Sequence, residues 1–261
     1  MLIEFFKMHA QGNDYIYFDL RNKSDFQLDF SAIAQKLSMR NFGIGSDGLV
    51  IINNDPSVDA HMRIFNADGS EAEMCGSALR CVGSYLYDEL KKTNMKIATI
   101  SGIKNVEVID PMEERIIKVN LGNPFFIDEE QIKIQKIAGY TVNIGNPHFV
   151  TISKVVSMDY VKKIGPKIEN YIRFPNRTNV DFVEVLDRKN ISLKFWERGS
   201  GATLACGTGT LASFFTIFTL GLVEKNIKAY LPGGEVEVSF EDGEYFLSGQ
   251  VEFAFKGYVE I

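Results

Sequence analysis

Cysteine is scarce in this chain, with three in 261 residues. An odd handful in a chain of that length does not make a disulfide framework, and a reducing, cytoplasmic setting fits better. Basic residues are in the minority, 28 against 34 acidic for a formal net charge of −6. No basic run occurs, which speaks against nucleic acid as a partner. Long apolar runs are missing too: residues 211–223 (LASFFTIFTLGLV) fall short of the roughly 20 that a membrane span needs. Their apolar side chains point all round a helix, so a helix buried on every side is expected there. The opening MLIEFFKMHAQGNDY places Glu4 inside the apolar stretch and lacks a small-residue cleavage site. It reads as a first strand, not a signal peptide.

What the chain has in quantity is material for a core. At 45% hydrophobic, with 20 Phe and 10 Tyr, it is not disordered, and its length fits one large domain or two of ordinary size. Short strands rich in Val, Ile and Phe alternate with turn residues, among them 3–7, 15–20, 49–53 and 61–66, then 149–152, 180–185, 192–196 and 245–253. Helical periodicity is confined to 31–40, 77–91, 158–171 and 208–223. Helices arriving singly among dominant strands predict an α+β fold. The two halves also echo one another. FNADGSEAEMCGSALRC and FWERGSGATLACGTGTLAS each run from Phe through a Gly-Ser turn to a Cys-Gly pair that opens a helix. Cys75 and Cys206 lie half a chain apart, and each is followed at the same distance by a glycine before a Val-rich strand, Gly102 and Gly233. Two similar domains are therefore expected, changing over near a linker at 122–131.

Several familiar motifs fail on context. Gly43-Ile-Gly45-Ser-Asp-Gly48 has the spacing of a dinucleotide fingerprint but follows a helix and precedes a strand, the reverse of the order that brings a pyrophosphate to a helix N-terminus; a tight turn is expected instead. His9, His61, His148 and the Cys75/Cys81 spacing match no metal-ligand pattern. The C-x-x-C redox motif and the G-x-S-x-G hydrolase elbow do not occur.

The two Cys-Gly helix starts stand out. A lone cysteine is usually a small buried hydrophobe, and Cys81, well inside its helix, is read that way. Cys75 and Cys206 instead sit where backbone N–H groups are unpaired and the helix dipole is positive, a place that favours the thiolate and lowers its pKa from about 8.5. The small neighbours Gly76, Ser77, Ala78, Gly207, Thr208 and Gly209 let a ligand approach those amides, which suit a carboxylate. Two thiols about 7 Å apart with a Cα between them would invert a stereocentre, one removing a proton and the other returning one. The amides of Gly76, Ser77, Gly207 and Thr208 would hold the ene-diolate charge, at about 2.7–4 kcal/mol per donor though not additively. Neither a metal nor a pyridoxal cofactor is needed. Oxidation to a disulfide, about 2.05 Å between sulfurs, would stop such chemistry.

At these residues the sequence resembles the diaminopimelate epimerase family, cofactor-independent two-cysteine amino-acid epimerases. KMHAQGNDY, GIGSDG, RIFNADGSEAEMCGSALRC, GNPH, RTNVDF, ERGSGATLACGTG and LPGG occur in family order over essentially the whole chain. The resemblance implies that Cys75 and Cys206 are the acid–base pair, with His148 assisting Cys75 and Glu197 assisting Cys206. It implies substrate binding by Asn13, Asn66, Asn146, Asn179, Glu197 and Arg198, a set suited to a diamino, dicarboxylic substrate because Arg can fork onto a distal carboxylate. It further implies two pseudo-symmetric α+β domains, each a curved sheet or barrel around a central helix with the site in the interdomain cleft. Their expected bounds are 1–122, rejoined by the last strand 252–261, and 123–251. A homodimer acting on a small amino acid, with no nucleic-acid or membrane partner, is the expected assembly.

This chain departs from the family pattern at Ser77 and Ala78, where Asn-Gly is usual, at Ala202, where Glu is usual, and at Gly48, a glutamine in some members. These changes bear on the substrate more than on the mechanism. LL-diaminopimelate is the leading substrate, which places the enzyme in lysine biosynthesis; histidine, lysine or lanthionine are the alternatives. Phenazine-type isomerases of the same fold lack the cysteine pair, and proline-racemase relatives lack the ERG and GNPH context. A thiol redox sensor or a non-catalytic binding protein would leave two matched helix-start thiols unexplained.

Overall fold

A computed structural model describes residues 1–21, 28–110, 114–154 and 156–261. The chain forms two compact units, one of Met1–Val119 with Gly249–Ile261 and one of Asn120–Ser248.

The first unit runs β1 (Leu2–Ala10), β2 (Asn13–Asp19), α1 (Phe30–Ser38), β3 (Gly48–Asn53), β4 (Ala60–Asn66), β5 (Glu71–Ala72), α2 (Gly76–Leu90), β6 (Asn94–Thr99), β7 (Gly102–Asp110) and β8 (Ile116–Asn120). The second runs β9 (Phe125–Phe126), β10 (Ile132–Ile134), β11 (Ile137–Asn143), β12 (Pro147–Ile152), α3 (Met158–Glu169), β13 (Asn179–Val185), β14 (Asn190–Glu197), β15 (Gly201–Thr203), α4 (Gly207–Thr219), β16 (Asn226–Leu231), β17 (Gly234–Glu241) and β18 (Glu244–Gln250). Strand β19 (Glu252–Glu260) returns to the first unit and pairs antiparallel with β1.

The duplication is complete at the level of pairing. In the first unit β1/β2 is antiparallel, β2/β3 parallel, β3/β4 antiparallel, β4/β6 parallel and β6/β7 antiparallel. The second unit repeats this sequence as β11/β12, β12/β13, β13/β14, β14/β16 and β16/β17. Each sheet curls around one helix: α2 packs against β1, β2 and β7, and α4 against β11, β12, β13 and β17. Curling demands close approach. A Cβ on Gly83 of α2 would come within 2.4 Å of Val106 Cγ1 on β7, so glycine lets the strand seat on the helix. The other helix of each unit packs on the same pair of strands, α1 on β3 and β4, α3 on β13 and β14.

Three expectations are corrected. The helix expected at 208–223 ends at Thr219. Gly221 takes φ +71° and turns the chain, leaving Leu220 and Leu222 exposed while Val223 folds back into the core; full burial holds for the middle turns only. The strand expected at 245–253 is two strands broken at Val251, because β18 pairs with β17 and β19 with β1. The linker expected at 122–131 is partly strand: Phe125 and Phe126 pair with Asn143 and Val142. Segment 43–48 is the turn that was expected, with Gly45 at φ +81°.

Candidate active site

Each unit carries one cysteine at the same structural address. Cys75 follows the short strand β5 and is the N-cap of α2, with φ −139° and ψ 121°. Cys206 follows β15 and is the N-cap of α4, with φ −138° and ψ 111°. An extended N-cap aims the side chain back over the first helical turn, where the amides have no intrahelical acceptor.

At the first helix start the small residues Gly76, Ser77 and Ala78 are buried. The β1–β2 turn, with Gln11 at φ +50° and Gly12 at +78°, delivers Asn13, whose Nδ2 donates toward Cys75 Sγ at 3.7 Å. Asn66 closes the turn after β4: its amide donates to the Ser70 carbonyl at 2.8 Å and its Nδ2 to Ser70 Oγ at 3.0 Å. Cys81 is fully buried against Tyr17, and burial pushes its thiol up to about 12.

At the second helix start Cys206 Sγ accepts from the Gly209 amide at 3.4 Å and lies 3.6 Å from Thr208 Oγ1. Glu197, at the end of β14, faces the same sulfur and accepts from Thr203 Oγ1 at 2.5 Å. His148 on β12 is wholly buried; its Nδ1 meets Asp181 Oδ2 at 2.7 Å and its Nε2 meets Asn146 Oδ1 at 3.0 Å. Asn146 Nδ2 in turn donates to Thr208 Oγ1 at 3.3 Å. A continuous chain therefore runs from Asp181 through His148, Asn146 and Thr208 to the Cys206 thiol. Asn179 braces the periphery, donating to the Pro147 carbonyl and accepting from the Arg198 amide, both at 2.9 Å. The Arg198 guanidinium is exposed, with Nη1 donating to the Asn176 carbonyl at 3.2 Å.

The electrostatics correct one expectation. A helix start favours a thiolate, yet the Cys206 thiol is held well above its ordinary value. Burial is the main cause, and the carboxylates of Glu197 and Asp181 add to it; the Thr208 and Gly209 hydrogen bonds oppose both and lose. Burial likewise raises the Glu197 carboxyl, against hydrogen bonds from Thr203 and Cys206. Thiol and carboxyl thus form a close pair in which one proton is strongly retained.

Sequence reasoning missed Asp181 as a functional residue, although RTNVDF contains it. The signal was available: an acidic residue inside a strand otherwise buried along its length asks for a partner. Gly209 was read only as a small neighbour. A Cβ there would lie 2.4 Å from Asp181 Oδ1 and 3.1 Å from Phe195 Cδ1, so glycine is what lets α4 approach the histidine–aspartate pair. Glu169 of α3 was also missed. It accepts from Trp196 Nε1 at 2.6 Å, from the Gly199 amide at 3.0 Å and from Arg177 at 3.2 Å, fixing the turn that follows Glu197 and Arg198.

Two halves of one topology, each with an N-cap cysteine at the head of its central helix, define an α+β protein of the two-domain epimerase fold. Solved structures of low identity share that fold. They include a phenazine biosynthesis protein of the PhzF family from Bacillus anthracis, with TM-score 0.76, 16% identity and full coverage of both chains. A hydroxyproline epimerase from Agrobacterium vitis gives TM-score 0.72 and 13% identity over 99% of this chain and 91% of that one. The sequence profile described as diaminopimelate epimerase matches residues 5–127 and 140–254. The diaminopimelate epimerase of Carboxydothermus hydrogenoformans is 38% identical over 98% of both chains. That of Methanococcus maripaludis is 39% identical over 99% of this chain and 100% of its own. The chain belongs to the diaminopimelate epimerase family and is an isomerase. No helix among the described residues is long and apolar enough to cross a membrane.

Proposed function

We propose that this protein interconverts LL- and meso-diaminopimelate by proton transfer between two thiols, without a pyridoxal cofactor. The observation that carries the reading is the matched pair of N-cap cysteines, Cys75 and Cys206, in a chain of this family. One cysteine, as thiolate, takes the α-proton. The C–H electron pair passes into the α-carboxylate as an ene-diolate, whose charge is held by the amides of Gly76, Ser77, Gly207 and Thr208. The other cysteine, as thiol, delivers its proton to the opposite face, so each turnover exchanges the two thiols' roles and the reverse reaction restores them. Glu197 exchanges the Cys206 proton, and His148, held by Asp181 and Asn146, serves Cys75. Arg198 forks onto the distal carboxylate, while Asn13, Asn66, Asn146 and Asn179 order the polar groups of the substrate.

The enzyme works as a homodimer in the cytoplasm, with light scattering as the check on its mass. Proton NMR of the reduced protein with LL-diaminopimelate in D2O, without pyridoxal phosphate, tests the substrate. Loss of the α-proton signal, abolished by Cys75→Ala and by Cys206→Ala, is expected. No exchange there, with exchange on histidine, lysine or lanthionine instead, would move the substrate elsewhere, as the departures at Ser77, Ala78 and Ala202 allow. No exchange on any of them would leave only a binding role.

A further inference from the structure

Beneath the first helix start lies a cation that the chemistry above does not use. Arg80, five residues into α2 and 1% exposed, is the largest of the fully buried side chains. Its Nη2 donates to Gln11 Oε1 at 2.7 Å, while Nε and Nη1 have no hydrogen-bond partner among the described residues. Among the described residues no carboxylate acts on it. The ionisable groups around the guanidinium are Tyr17 on β2 and the thiols of Cys75 and Cys81 on its own helix. Burial without a counter-charge pulls Arg80 down to about 10, the mark of a charge held at a cost.

Geometry selects which of those groups answers it. Helical side chains lean toward the N-terminus of their helix, so the Arg80 side chain runs back to the turn that Cys75 caps. Cys81 and Tyr17 are both fully buried and hold their protons, the thiol at about 12 and the phenol well above its ordinary value. Cys75 is the half-buried member of the set. The anchor points the same way: Gln11 sits in the strained turn at φ +50°, donates to the Gln250 carbonyl at 3.0 Å, and lies two residues before the Asn13 that touches Cys75 Sγ.

We propose that Arg80 is a positioning residue, a buried fixed cation anchored by Gln11 that favours the thiolate of Cys75. The inference rests on Cys75 being an acid–base thiol only where turnover is concerned; its principal test needs no substrate. Iodoacetamide alkylation of the whole protein, followed by peptide mass spectrometry across pH, reads Cys75, Cys81 and Cys206 separately, because the thiolate is the reacting form. Arg80→Met should raise the Cys75 midpoint by about one pH unit, roughly a tenfold slower reaction below the midpoint, as loss of a neighbouring opposite charge dictates. The Cys206 profile should not move.

Arg80→Gln keeps a donor for Gln11 but no charge, and should shift Cys75 equally; it also decides the matter if Arg80→Met does not fold. An Arg80→Gln protein with the wild-type Cys75 midpoint, or equal shifts at Cys75 and Cys206, would overturn the proposal and leave Arg80 a packing residue. With diaminopimelate as substrate, kcat should fall about tenfold with KM nearly unchanged. A shifted midpoint with no turnover in the wild type would sink the substrate assignment and leave the Arg80 assignment standing.

Discussion

Replacing Asp181 by Asn probes the buried chain behind Cys206 with two effects of opposite sign. Asp181 Oδ2 pairs with His148 Nδ1 at 2.7 Å, and both side chains are fully buried. Breaking a buried pair by removing one charge costs about 3–5 kcal/mol. The amide has no good orientation. With its nitrogen toward His148 two donors oppose each other; with its oxygen there, the NH2 lies against Gly209, where Asp181 Oδ1 has no hydrogen-bond partner now. A melting temperature lower by about 6–12 °C follows for a chain of this size. The second effect is electrostatic. The Asp181 carboxylate is one of the charges that raise the Cys206 thiol, so removing it lowers the pH at which Cys206 is alkylated.

The variant should therefore be less stable and slower in α-proton exchange, yet have a more reactive Cys206. Thermal melting and pH-resolved alkylation read the two effects independently. An alkylation midpoint at Cys206 that stays put or rises would refute the electrostatic reasoning, and an unchanged melting temperature would refute the pairing.

The neighbouring positions give further tests. Gly209→Ala places a methyl 2.4 Å from Asp181 Oδ1; overpacking of about 1–3 kcal/mol should outweigh the helix-propensity gain of about 1, and exchange should slow by about a hundredfold through misplaced groups. A variant as fast and stable as wild type would show that the close approach does not matter. In Glu197→Gln, an acceptor with a raised folded-state pKa is lost. For such a group the stability is present below its unfolded value and lost as pH rises through the folded one. The variant should then melt higher at neutral pH, with the gain vanishing in acid, while exchange falls by about 10²–10⁴; a lower melting temperature at neutral pH would contradict the burial argument. Arg198→Met should raise KM for diaminopimelate about ten- to a hundredfold with kcat little changed, as loss of a charge-assisted fork predicts. An unchanged KM would place the distal carboxylate elsewhere.

The sequence was most legible where periodicity and turn chemistry agree. The α+β class and all four helix cores could be read from apolar spacing of 3.6 among short strands, and the repeat centred on Cys75 and Cys206 from the Cys-Gly pairs that open two of those helices. Short strands were not. β5 and β15 have two and three residues, too few for any alternation to register, yet they set the approach to each cysteine. The break at Val251 was invisible because an apolar residue there continues the strand pattern; the change of partner from β17 to β1 makes it a break. Helix-start logic placed the Cys206 thiol correctly and misjudged its electrostatics, since burial and two facing carboxylates are tertiary facts. Asp181, Gly209 and Glu169 escaped for the same reason: each is defined by what packs against it.

The central claim is that two thiols share the proton transfer, and early-time deuterium incorporation in D2O tests it most directly. With LL-diaminopimelate at low conversion, the account predicts solvent deuterium in the meso product while the remaining LL substrate keeps its α-proton, because the returning proton comes from the other thiol. Deuterium entering the residual substrate as fast as product forms, with either cysteine alone supporting inversion, would mean that one group works both faces and would contradict it.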